Sequence, residues 1–395
     1  MSGHPRIAIN GWFLQHPQTG SGQYLRCLLR WVQRLASLPD LVLVAPGLDR
    51  LGRVEAEREL GLDVAAVGGA ESALGKLYFE QVTFPCVARR LGAHILHVPY
   101  WGSPMLPAVP CVVSVLDVIP LVLPEYRGGP YNRAYFRLAA AAARRAKAVL
   151  TISAAARDDI ERATGIPVGR MHITLLGADH VDGFGLSAST LERFRPRFDP
   201  ETSFVLYVGG FDRRKNLETA LRGFALALPS LGPVTPFVIA GSLPTSTAAR
   251  QVDPRPAVRE LGLERSVVFL GAVTEDEKAA LMRRAAAFVF PSRYEGFGLP
   301  ALEAMRCGAP VIAARTAVAE EVLGDAAILC HPGDPASFRD ALVRVLGDPA
   351  VAADLRASGL ARAAGFSWQR CAQQTADVYG LIADDSGAQR GPGAI

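Results

Sequence analysis

Lysine is scarce in this chain: of 42 basic residues only those at positions 76, 147, 215 and 278 are lysines. The six cysteines are scattered, and none of them forms a Cys-x-x-Cys pair. Several lie in apolar runs, which predicts reduced, mostly buried thiols and argues against a metal site. No apolar run approaches the roughly 20 residues of a membrane span. The start, MSGHPRIAIN, lacks the pattern of a secretory signal. These absences favour a cytoplasmic globular protein.

The charge of the chain is small and unevenly spread. The formal net charge of +4 is too low for a typical nucleic-acid binder, so no nucleic-acid partner is expected. The first 180 residues carry 19 basic against 14 acidic residues. This excess makes that half the better candidate for contact with an anionic acceptor, or for weak peripheral association with the inner face of a membrane, although random surface variation explains it at least as well. Arg133, Arg137, Arg144 and Arg145 lie on one predicted helix that could face anionic lipid, although a solvated helix face is the commoner role of such a set.

The length and the hydrophobic pattern together predict two domains. At 395 residues the chain is too long for one ordinary core. Short apolar runs alternate with helical periodicity twice, once on either side of a polar segment over 181–202. This alternation predicts an α/β fold with two doubly wound parallel sheets. The expected divisions are an N-terminal domain (1–180), a linker (181–202), a C-terminal domain (203–365), a helix packing back on the first domain (366–385) and a mobile tail (386–395).

The individual elements follow from apolar runs, caps and turn residues. Strands are predicted over 6–10, 41–45, 94–99, 111–116, 148–153, 171–176, 203–208, 237–240, 267–270, 287–290, 311–314 and 327–330. Helices are predicted near 72–91 and 131–146, after Ser153 as cap up to residue 164, and after a Thr274/Glu277 capping box up to residue 286. A glycine loop over 19–22 precedes another helix, and the last hundred-odd residues are expected to be largely helical.

The most informative stretch runs from 287 to 310. An apolar strand over 287–290 is followed by Glu295, by glycines on either side of Phe297, and by Pro300. Proline suits the first turn of a helix, so a helix is expected to begin there. The free N–H groups and positive end of such a helix attract a phosphate. Glu295 and Glu303 then flank the helix start, where their carboxylates can accept hydrogen bonds from ribose and sugar hydroxyls. The stretch therefore predicts a nucleotide-sugar site.

A second phosphate clamp is predicted in the loop over 209–216. Gly209 and Gly210 follow a predicted strand and allow a ligand to approach the backbone. Arg214 and Lys215 offer charge-assisted hydrogen bonds to phosphate oxygens. The alternative is a basic helix start whose side chains are simply solvated.

These motifs resemble a known family. The segments EGFGLP (295–300), GGFDRRKN (209–216) and CGAPVIAAR (307–315) resemble the retaining nucleotide-sugar glycosyltransferases of family 4. Further segments resemble that family over nearly the whole chain: TGSGQY (19–24), LDVIP (116–120), TIS (151–153) and FSW (366–368). The two glutamates with their intervening Gly-Phe-Gly are the specific signal. The resemblance implies the GT-B architecture, in which two Rossmann-like domains face each other across a cleft.

The resemblance also implies roles for particular residues. Glu295, Lys215 and Arg214 would act in catalysis, the two cations on the diphosphate and Glu295 on the sugar, while Glu303 would bind the ribose. The other implied donor contacts are Gly20, Gly22, Gly209, Gly210, Gly271, Val273, Gly296, Phe297, Gly298 and Leu299, with Asp117 as a neighbour of the site.

The implied reaction moves a sugar from a nucleotide-diphospho-sugar to an unidentified glycan, lipid-linked or small-molecule acceptor, with retention at the anomeric carbon. Lysine, arginine and the helix dipole would stabilise the leaving diphosphate, so no metal or other cofactor is expected. That expectation fits a chain without an Asp-x-Asp triplet. By family analogy, a guanosine donor is preferred over a uridine donor.

One position departs from the family pattern. Leu116 stands where the family has a histidine that contacts the donor sugar. This departure leaves open a catalytically impaired nucleotide-sugar-binding subunit. A sugar phosphorylase-type enzyme on the same scaffold is a further alternative. His94 and His97 lie nearby in sequence, but a histidine on an apolar strand is more often a satisfied core residue.

Overall fold

A computed structural model describes residues 5–37, 39–69, 72–185, 187–231, 235–244 and 250–388. The chain divides into two compact units. The first is formed by Met1–Leu176 together with Trp368–Ile395, and the second by Gly177–Ser367.

The first unit contains a seven-stranded parallel sheet with the strand order β3-β2-β1-β4-β5-β6-β7. Its strands are β1 Arg6–Asn10, β2 Asp40–Pro46, β3 Asp63–Val67, β4 Ile95–Val98, β5 Cys111–Ser114, β6 Ala148–Thr151 and β7 Met171–Ile173. The second unit contains a six-stranded parallel sheet with the order β10-β9-β8-β11-β12-β13. Its strands are β8 Val205–Val208, β9 Phe237–Ala240, β10 Val267–Gly271, β11 Ala287–Phe290, β12 Val311–Ala314 and β13 Ala327–Cys330.

Helices connect the strands, as parallel pairing requires. Within the described residues the α-helices are α1 Gly20–Val32, α2 Arg50–Leu60, α3 Ala73–Tyr78, α4 Phe84–Arg90, α5 Ile119–Val122, α6 Pro130–Ala143, α7 Ala154–Thr164, α8 Leu217–Leu231, α9 Arg255–Glu260, α10 Glu275–Arg284, α11 Leu299–Arg306, α12 Ala317–Val322, α13 Pro335–Gly347, α14 Pro349–Ala364 and α15 Trp368–Ala388. A π-helical segment, Phe79–Thr83, joins α3 to α4.

The apolar runs form strands of parallel sheets. Such strands are covered on both faces, so nearly all of their residues are apolar. Every residue of β5, β9 and β11 is buried. The predicted strands appear with small shifts at their ends. Ser153 caps α7 by accepting from Ala156 N at 2.9 Å, and Thr274 and Glu277 form the predicted capping box of α10.

One part of the first unit differs from the prediction. The expected glycine loop over 19–22 was wrong, because α1 already begins at Gly20. The side chain of Thr19 caps this helix and accepts from Gly22 N at 3.1 Å. Three elements were also missed: the short α5, and α2 and β3, whose sequences are polar or only partly buried.

The helix α15 returns from the end of the chain to complete the first unit. Its Trp368 ring lies 6.2 Å from that of Tyr24 on α1. Its Tyr379 hydroxyl lies 2.6 Å from His97 Nδ1, and Ser114 Oγ lies 2.8 Å from His97 Nε2. His97 is fully buried, and burial lowers its pKa to about 3. This strand histidine is therefore a satisfied core residue, as expected.

The second unit extends from Gly177 to Ser367, beyond the predicted 203–365. The segment 181–202, which reads as a linker in the sequence, belongs to the second unit and buries Val181, Leu191 and Phe194. The predicted tail begins at 386, but α15 continues through Ala388 and the rest of the tail lies outside the described residues. None of the six cysteines is in a disulfide: Cys86 is exposed, and the other five, Cys27, Cys111, Cys307, Cys330 and Cys371, are buried. None of the helices in the described part of the chain is long and apolar enough to cross a bilayer.

Candidate functional site

The predicted donor residues of the second unit gather where its strand order reverses. From β8 the chain moves outward through β9 and β10, then returns to β11 on the other side of β8. In doubly wound sheets, ligands bind beyond the carboxyl ends of the strands at such a reversal. The two loops that follow β8 and β11 are the predicted phosphate clamp over 209–216 and the glutamate loop over 291–298. The fold therefore brings both predicted loops to one edge of the sheet.

Three predicted catalytic side chains meet at this edge. Oε1 of Glu295 lies 2.7 Å from Lys215 Nζ and 2.8 Å from an Nη of Arg214. Arg214 also donates to the carbonyl of Tyr294 at 3.0 Å, and its own carbonyl accepts from Arg293 N at 2.8 Å. The two loops are thus joined by backbone and side-chain contacts. Both cations are held at the place where a diphosphate would be expected.

The electrostatic balance at Glu295 favours the ionised carboxylate. Burial alone would raise its pKa, because a buried charge loses its hydration. The neighbouring cations Lys215 and Arg214 outweigh burial and hold the pKa of Glu295 at about 2. The side chain therefore carries its negative charge at neutral pH and neutralises part of the positive charge beside it.

Asn216 fastens the phosphate-clamp loop to its neighbours. It has a left-handed backbone with φ of +56°, the one described non-glycine residue with a positive φ. Its side-chain amide donates to the carbonyl of Pro291 at 3.1 Å and to that of Pro332 at 2.8 Å. Asparagine is one of the few residues that enter the left-handed region at modest cost. Asn216 thereby fixes the position of Lys215 beside the loop that carries Glu295.

The glutamate loop ends in the expected helix. Gly298, with φ of +86°, is the N-cap of α11, and Pro300 occupies its first turn. The Phe297 side chain is buried and packs edge-on against Phe366, with ring centroids 5.9 Å apart. Its ring is therefore a core group, and any donor contact of Phe297 is confined to its backbone. Gly296 and Leu299 lie on either side of Phe297 and Gly298 at the start of the helix.

Glu303 projects from α11 into a buried ion-pair network. Its Oε1 lies 2.9 Å from His180 Nε2, and its Oε2 lies 3.0 Å from Lys278 Nζ. Burial opposes ionisation, but Lys278 and then His180 lower the pKa of Glu303 below its usual range. The network therefore holds the carboxylate of Glu303 in its ionised form.

The same network contains the one described group of three side chains with metal-ligand spacing. Ligand atoms of His180, Glu275 and Glu303 lie within 4.8 Å of one another. Lys278 Nζ, however, lies 2.7 Å from Glu275 and 3.0 Å from Glu303. Its ammonium group supplies positive charge between the two carboxylates, so a divalent ion would have to displace it. The residues present fit an internal ammonium better than a metal.

The other predicted donor contacts of the second unit lie along the same sheet edge. Gly271 ends β10 with φ of +77°, and its carbonyl accepts from Gly241 N at 2.8 Å. Val273 follows two residues later and is partly buried. A Cβ on Gly241 would lie 2.1 Å from the carbonyl oxygen of Gly209, so these two loops approach closely. Gly210 accepts from the Tyr207 hydroxyl at 2.5 Å through its carbonyl.

The remaining predicted residues belong to the first unit. Gly20 and Gly22 lie in the first turn of α1, and a Cβ on Gly22 would lie 2.0 Å from the His16 carbonyl oxygen. Asp117 follows β5, where its carboxylate caps Ile119 N at 3.0 Å and its carbonyl accepts from Trp101 at 2.7 Å. These contacts give Asp117 the structural capping role that is usual for such a turn.

Sequence reasoning missed four residues at the candidate donor site of the second unit: Asn216, His180, Lys278 and Ser292. Ser292 is buried directly after β11, and its Oγ has no partner among the described residues. The one signal that could have identified Lys278 was the scarcity of lysine in the chain. Three of the four lysines, Lys76, Lys215 and Lys278, each have a carboxylate partner and a side chain no more than a quarter exposed. Asn216 and His180 carried no such signal.

Comparisons with known proteins identify a family. Residues 189–362 match the model described as "Glycosyl transferases group 1", and residues 19–177 match "Glycosyl transferase 4-like domain". The serotype-specific mannosyltransferase WbdA of Escherichia coli is 31% identical over 273 residues, which are 68% of this chain but 33% of that protein. The chain thus spans about a third of the length of this curated relative.

Solved structures show the same fold. Sucrose-phosphate synthase from Thermosynechococcus elongatus superimposes with a TM-score of 0.74 at 21% identity, covering 97% of this chain and 100% of that one. HepE of Anabaena in complex with UDP and glucose superimposes with a TM-score of 0.73 at 18% identity, covering 95% and 100%.

Two Rossmann-like parallel sheets in one chain define the GT-B fold class, as expected from the sequence. The two family matches together cover most of the chain. The chain belongs to the group 1 glycosyltransferases, family 4.

Proposed function

We propose that this chain transfers a sugar from a nucleotide-diphospho-sugar to an acceptor hydroxyl, and that its second unit binds the donor. The observation that carries the proposal is the contact of Lys215 and Arg214 with Glu295 at the strand-order reversal of that unit. Cations, a carboxylate and a helix start converge there on one edge of the sheet. Membership of the family and the UDP named for HepE support the same ligand class.

The chemistry follows from the charges. Breaking the bond between the sugar and the diphosphate leaves additional negative charge on the diphosphate oxygens. Lys215, Arg214 and the positive end of α11 are fixed donors that stabilise this charge as it develops. Glu295 is ionised and can accept hydrogen bonds from sugar hydroxyls. We propose same-face transfer, with retention, as family analogy implies, and independence from divalent metal. If transfer is independent of divalent metal, the chain should keep its full activity after treatment with a chelator.

For the donor we propose a mannosyl group carried on guanosine diphosphate. Support comes from the relative WbdA, which is named a mannosyltransferase. A uridine donor is the competing choice, and HepE is named with UDP and glucose.

Calorimetry tests the donor site directly. We expect GDP, and more weakly UDP, to bind the full chain, and Lys215→Ala to lower this affinity at least tenfold. Lys147→Ala is the matched control, because Lys147 pairs with Asp385 in the first unit and both side chains are about half exposed. If neither nucleotide binds the wild-type chain, the proposed function is wrong.

The role of Glu303 has its own test. We propose that it contacts the donor ribose, so Glu303→Gln should weaken GDP binding more than pyrophosphate binding. Equal losses for the two ligands would argue against a ribose contact and for a purely structural role in the network with Lys278.

The two alternatives give different results in the same assays. An impaired partner subunit would bind donor without any transfer or donor hydrolysis, and Leu116→His would then restore turnover if the missing histidine were the cause. A phosphorylase-type enzyme would prefer inorganic phosphate or a sugar phosphate to a nucleoside diphosphate.

We also propose weak association of the first unit with an anionic membrane surface. Leu74, Tyr78 and Val82 lie at four-residue spacing and are 69%, 63% and 40% exposed. The Tyr131 hydroxyl donates to the Ala73 carbonyl at 2.8 Å, which places α6 with its exposed Arg133 and Arg137 beside this stripe. Apolar side chains bordered by arginines suit the interface of an anionic bilayer.

Vesicle co-sedimentation tests this association. The chain should bind vesicles of phosphatidylcholine with phosphatidylglycerol more strongly than pure phosphatidylcholine, and Leu74→Ser with Tyr78→Ser should remove the difference. The control is Leu360→Ser, which changes an exposed leucine of the second unit. Equal sedimentation with both lipids would contradict the proposal.

A further inference from the structure

A second cluster of buried polar groups lies at the strand-order reversal of the first unit. There β1 is flanked by β2 on one side and β4 on the other, so the chain's direction across the sheet changes between β1 and β4. Asn10 is the last residue of β1, and Tyr100 follows β4 by two positions. The Tyr100 hydroxyl donates to Asn10 Oδ1 at 3.1 Å. A crevice at this position is where a doubly wound sheet binds ligands.

Two buried groups in this cluster have polar atoms without partners. Asn10 Oδ1 also accepts from Trp12 N at 3.0 Å, while its Nδ2 has no partner within the described residues. Glu80 accepts from the Tyr135 hydroxyl at 2.9 Å through Oε1, and its Oε2 is likewise unpartnered. Both side chains are 0% exposed. Leaving a buried donor or acceptor unpaired costs about 1–3 kcal/mol, so a ligand that pairs with these atoms would recover that energy.

Lys76 connects the cluster to solvent. Its Nζ lies 3.5 Å from Glu80 Oε1, and its side chain is 24% exposed. The ammonium also lies 5.3, 5.1 and 5.0 Å from the ring centroids of Phe13, Tyr100 and Tyr135. Aromatic rings at this distance attract a cation and hold it in place. The ammonium has three N–H donors, and the single contact at 3.5 Å leaves donor capacity for a bound group.

The backbone is shaped around Glu80. This residue lies in the π-helical segment Phe79–Thr83, and π-bulges within helices occur frequently at functional sites. A Cβ on Gly102 would lie 2.1 Å from Glu80 Oε1. Only a residue without a side chain fits there, so the carboxylate is packed against the backbone that follows β4. These contacts fix the position of Glu80. Burial raises the pKa of its carboxyl group.

We propose that Asn10, Lys76 and Glu80 bind one neutral sugar residue of the acceptor. The cluster offers a carboxylate acceptor together with amide and ammonium donors, and these match the hydroxyls of a pyranose. The charges of Lys76 and Glu80 cancel, so an acceptor group with its own phosphate or carboxylate gains nothing here. This inference rests on the proposed function, because it identifies the substrate class that the donor sugar would be transferred to.

Ligand-observed saturation-transfer NMR on the full chain tests the inference. The probes are methyl α-mannopyranoside, methyl α-glucopyranoside and, as an anionic sugar, glucose 6-phosphate. At least one methyl glycoside should bind the wild type, and Glu80→Gln and Lys76→Met should each weaken it at least tenfold. The control is Glu125→Gln, which changes an exposed carboxylate of the same unit.

Each other outcome decides against the inference. Absence of any glycoside signal from the wild type, or unchanged binding in both variants, would mean that the unpaired atoms are met by water alone. A tenfold preference for glucose 6-phosphate would contradict the neutral class. If Glu80→Gln fails to fold, Lys76→Met decides, because the Lys76 side chain is partly exposed and methionine has an apolar stem of similar length.

Calorimetry with GDP on the same variants separates the two proposals. Glycoside binding without nucleotide binding would overturn the proposed function and leave a sugar site. Nucleotide binding without glycoside binding would overturn only this inference.

Discussion

Lys215 Nζ and Glu295 Oε1 lie 2.7 Å apart in the second unit, so the cation assigned to the diphosphate is already paired with the carboxylate assigned to the sugar. Arg214 contacts the same oxygen at 2.8 Å. A bound donor therefore has to share or replace the contacts of Glu295 with Lys215 and Arg214. The same three side chains would then contact both the sugar and the diphosphate.

The first prediction concerns Glu295→Gln. Removing the negative charge frees Lys215 and Arg214 for phosphate oxygens, so GDP affinity should stay equal to that of the wild type or rise severalfold. Transfer should fall at least 100-fold if Glu295 positions the sugar. Calorimetry and a transfer assay give the two values, with Glu320→Gln as the exposed control in the same unit. A tenfold loss of GDP affinity would contradict this account of the charges.

The second prediction compares two neighbouring glycines. A Cβ on Gly22 would lie 2.0 Å from the His16 carbonyl oxygen, whereas a Cβ on Gly20 would meet nothing within 4 Å. Gly22→Ala should therefore destabilise the first unit by about 1–3 kcal/mol or more through overpacking. Gly20→Ala should be neutral or stabilise it by up to about 1 kcal/mol, because alanine is the better helix former. Urea unfolding of both variants provides the comparison, and equal effects would show that the helix start is placed differently.

A third prediction follows from Asn216. Asn216→Ala leaves the carbonyls of Pro291 and Pro332 without their donor and places alanine at a φ of +56°. The expected loss is about 2–4 kcal/mol of the unfolding free energy. Asn216→Gly loses the same hydrogen bonds but not the backbone preference, so it should be about 1 kcal/mol less damaging than alanine. The reverse order would mean that the left-handed backbone is not a strained feature of this loop.

The fourth prediction is a pH dependence. Glu295 has a pKa of about 2 in the fold against an ordinary value of 4.5. Its stabilising contribution is complete above pH 4.5 and is lost as the pH falls towards 2, because the unfolded chain takes up the proton first. The loss is at most about 3 kcal/mol. Glu295→Gln should flatten the fall in unfolding free energy between pH 5 and the lowest pH at which the chain stays soluble. Parallel curves for wild type and variant would rule out this contribution.

The strands and the start of α11 could be predicted because their causes are local. The structure contains the predicted conformation at each of these positions. The apolar run forms strand β11, the glycines form the loop after it, and Pro300 lies in the first turn of α11. The pairing of Glu295 with Lys215 was also within reach, since both loops follow predicted strands of a doubly wound sheet.

Other features depended on contacts that a linear pattern does not carry. Helix α2 has few apolar residues and β3 is only partly buried, so neither showed a clear period. The glycines of α1 favoured a loop by propensity, and the cap from Thr19 overrode that preference. His180 meets Glu303 across 123 residues of sequence, and Asn216 meets Pro332 across 116. Such partners are set by tertiary packing alone.

The most direct test is a crystal structure of the full chain soaked with GDP. We predict diphosphate density within hydrogen-bond distance of Lys215 and Arg214 at the start of α11, with the ribose towards Glu303. Diphosphate density at any other place on the chain, with these side chains unchanged, would contradict this prediction.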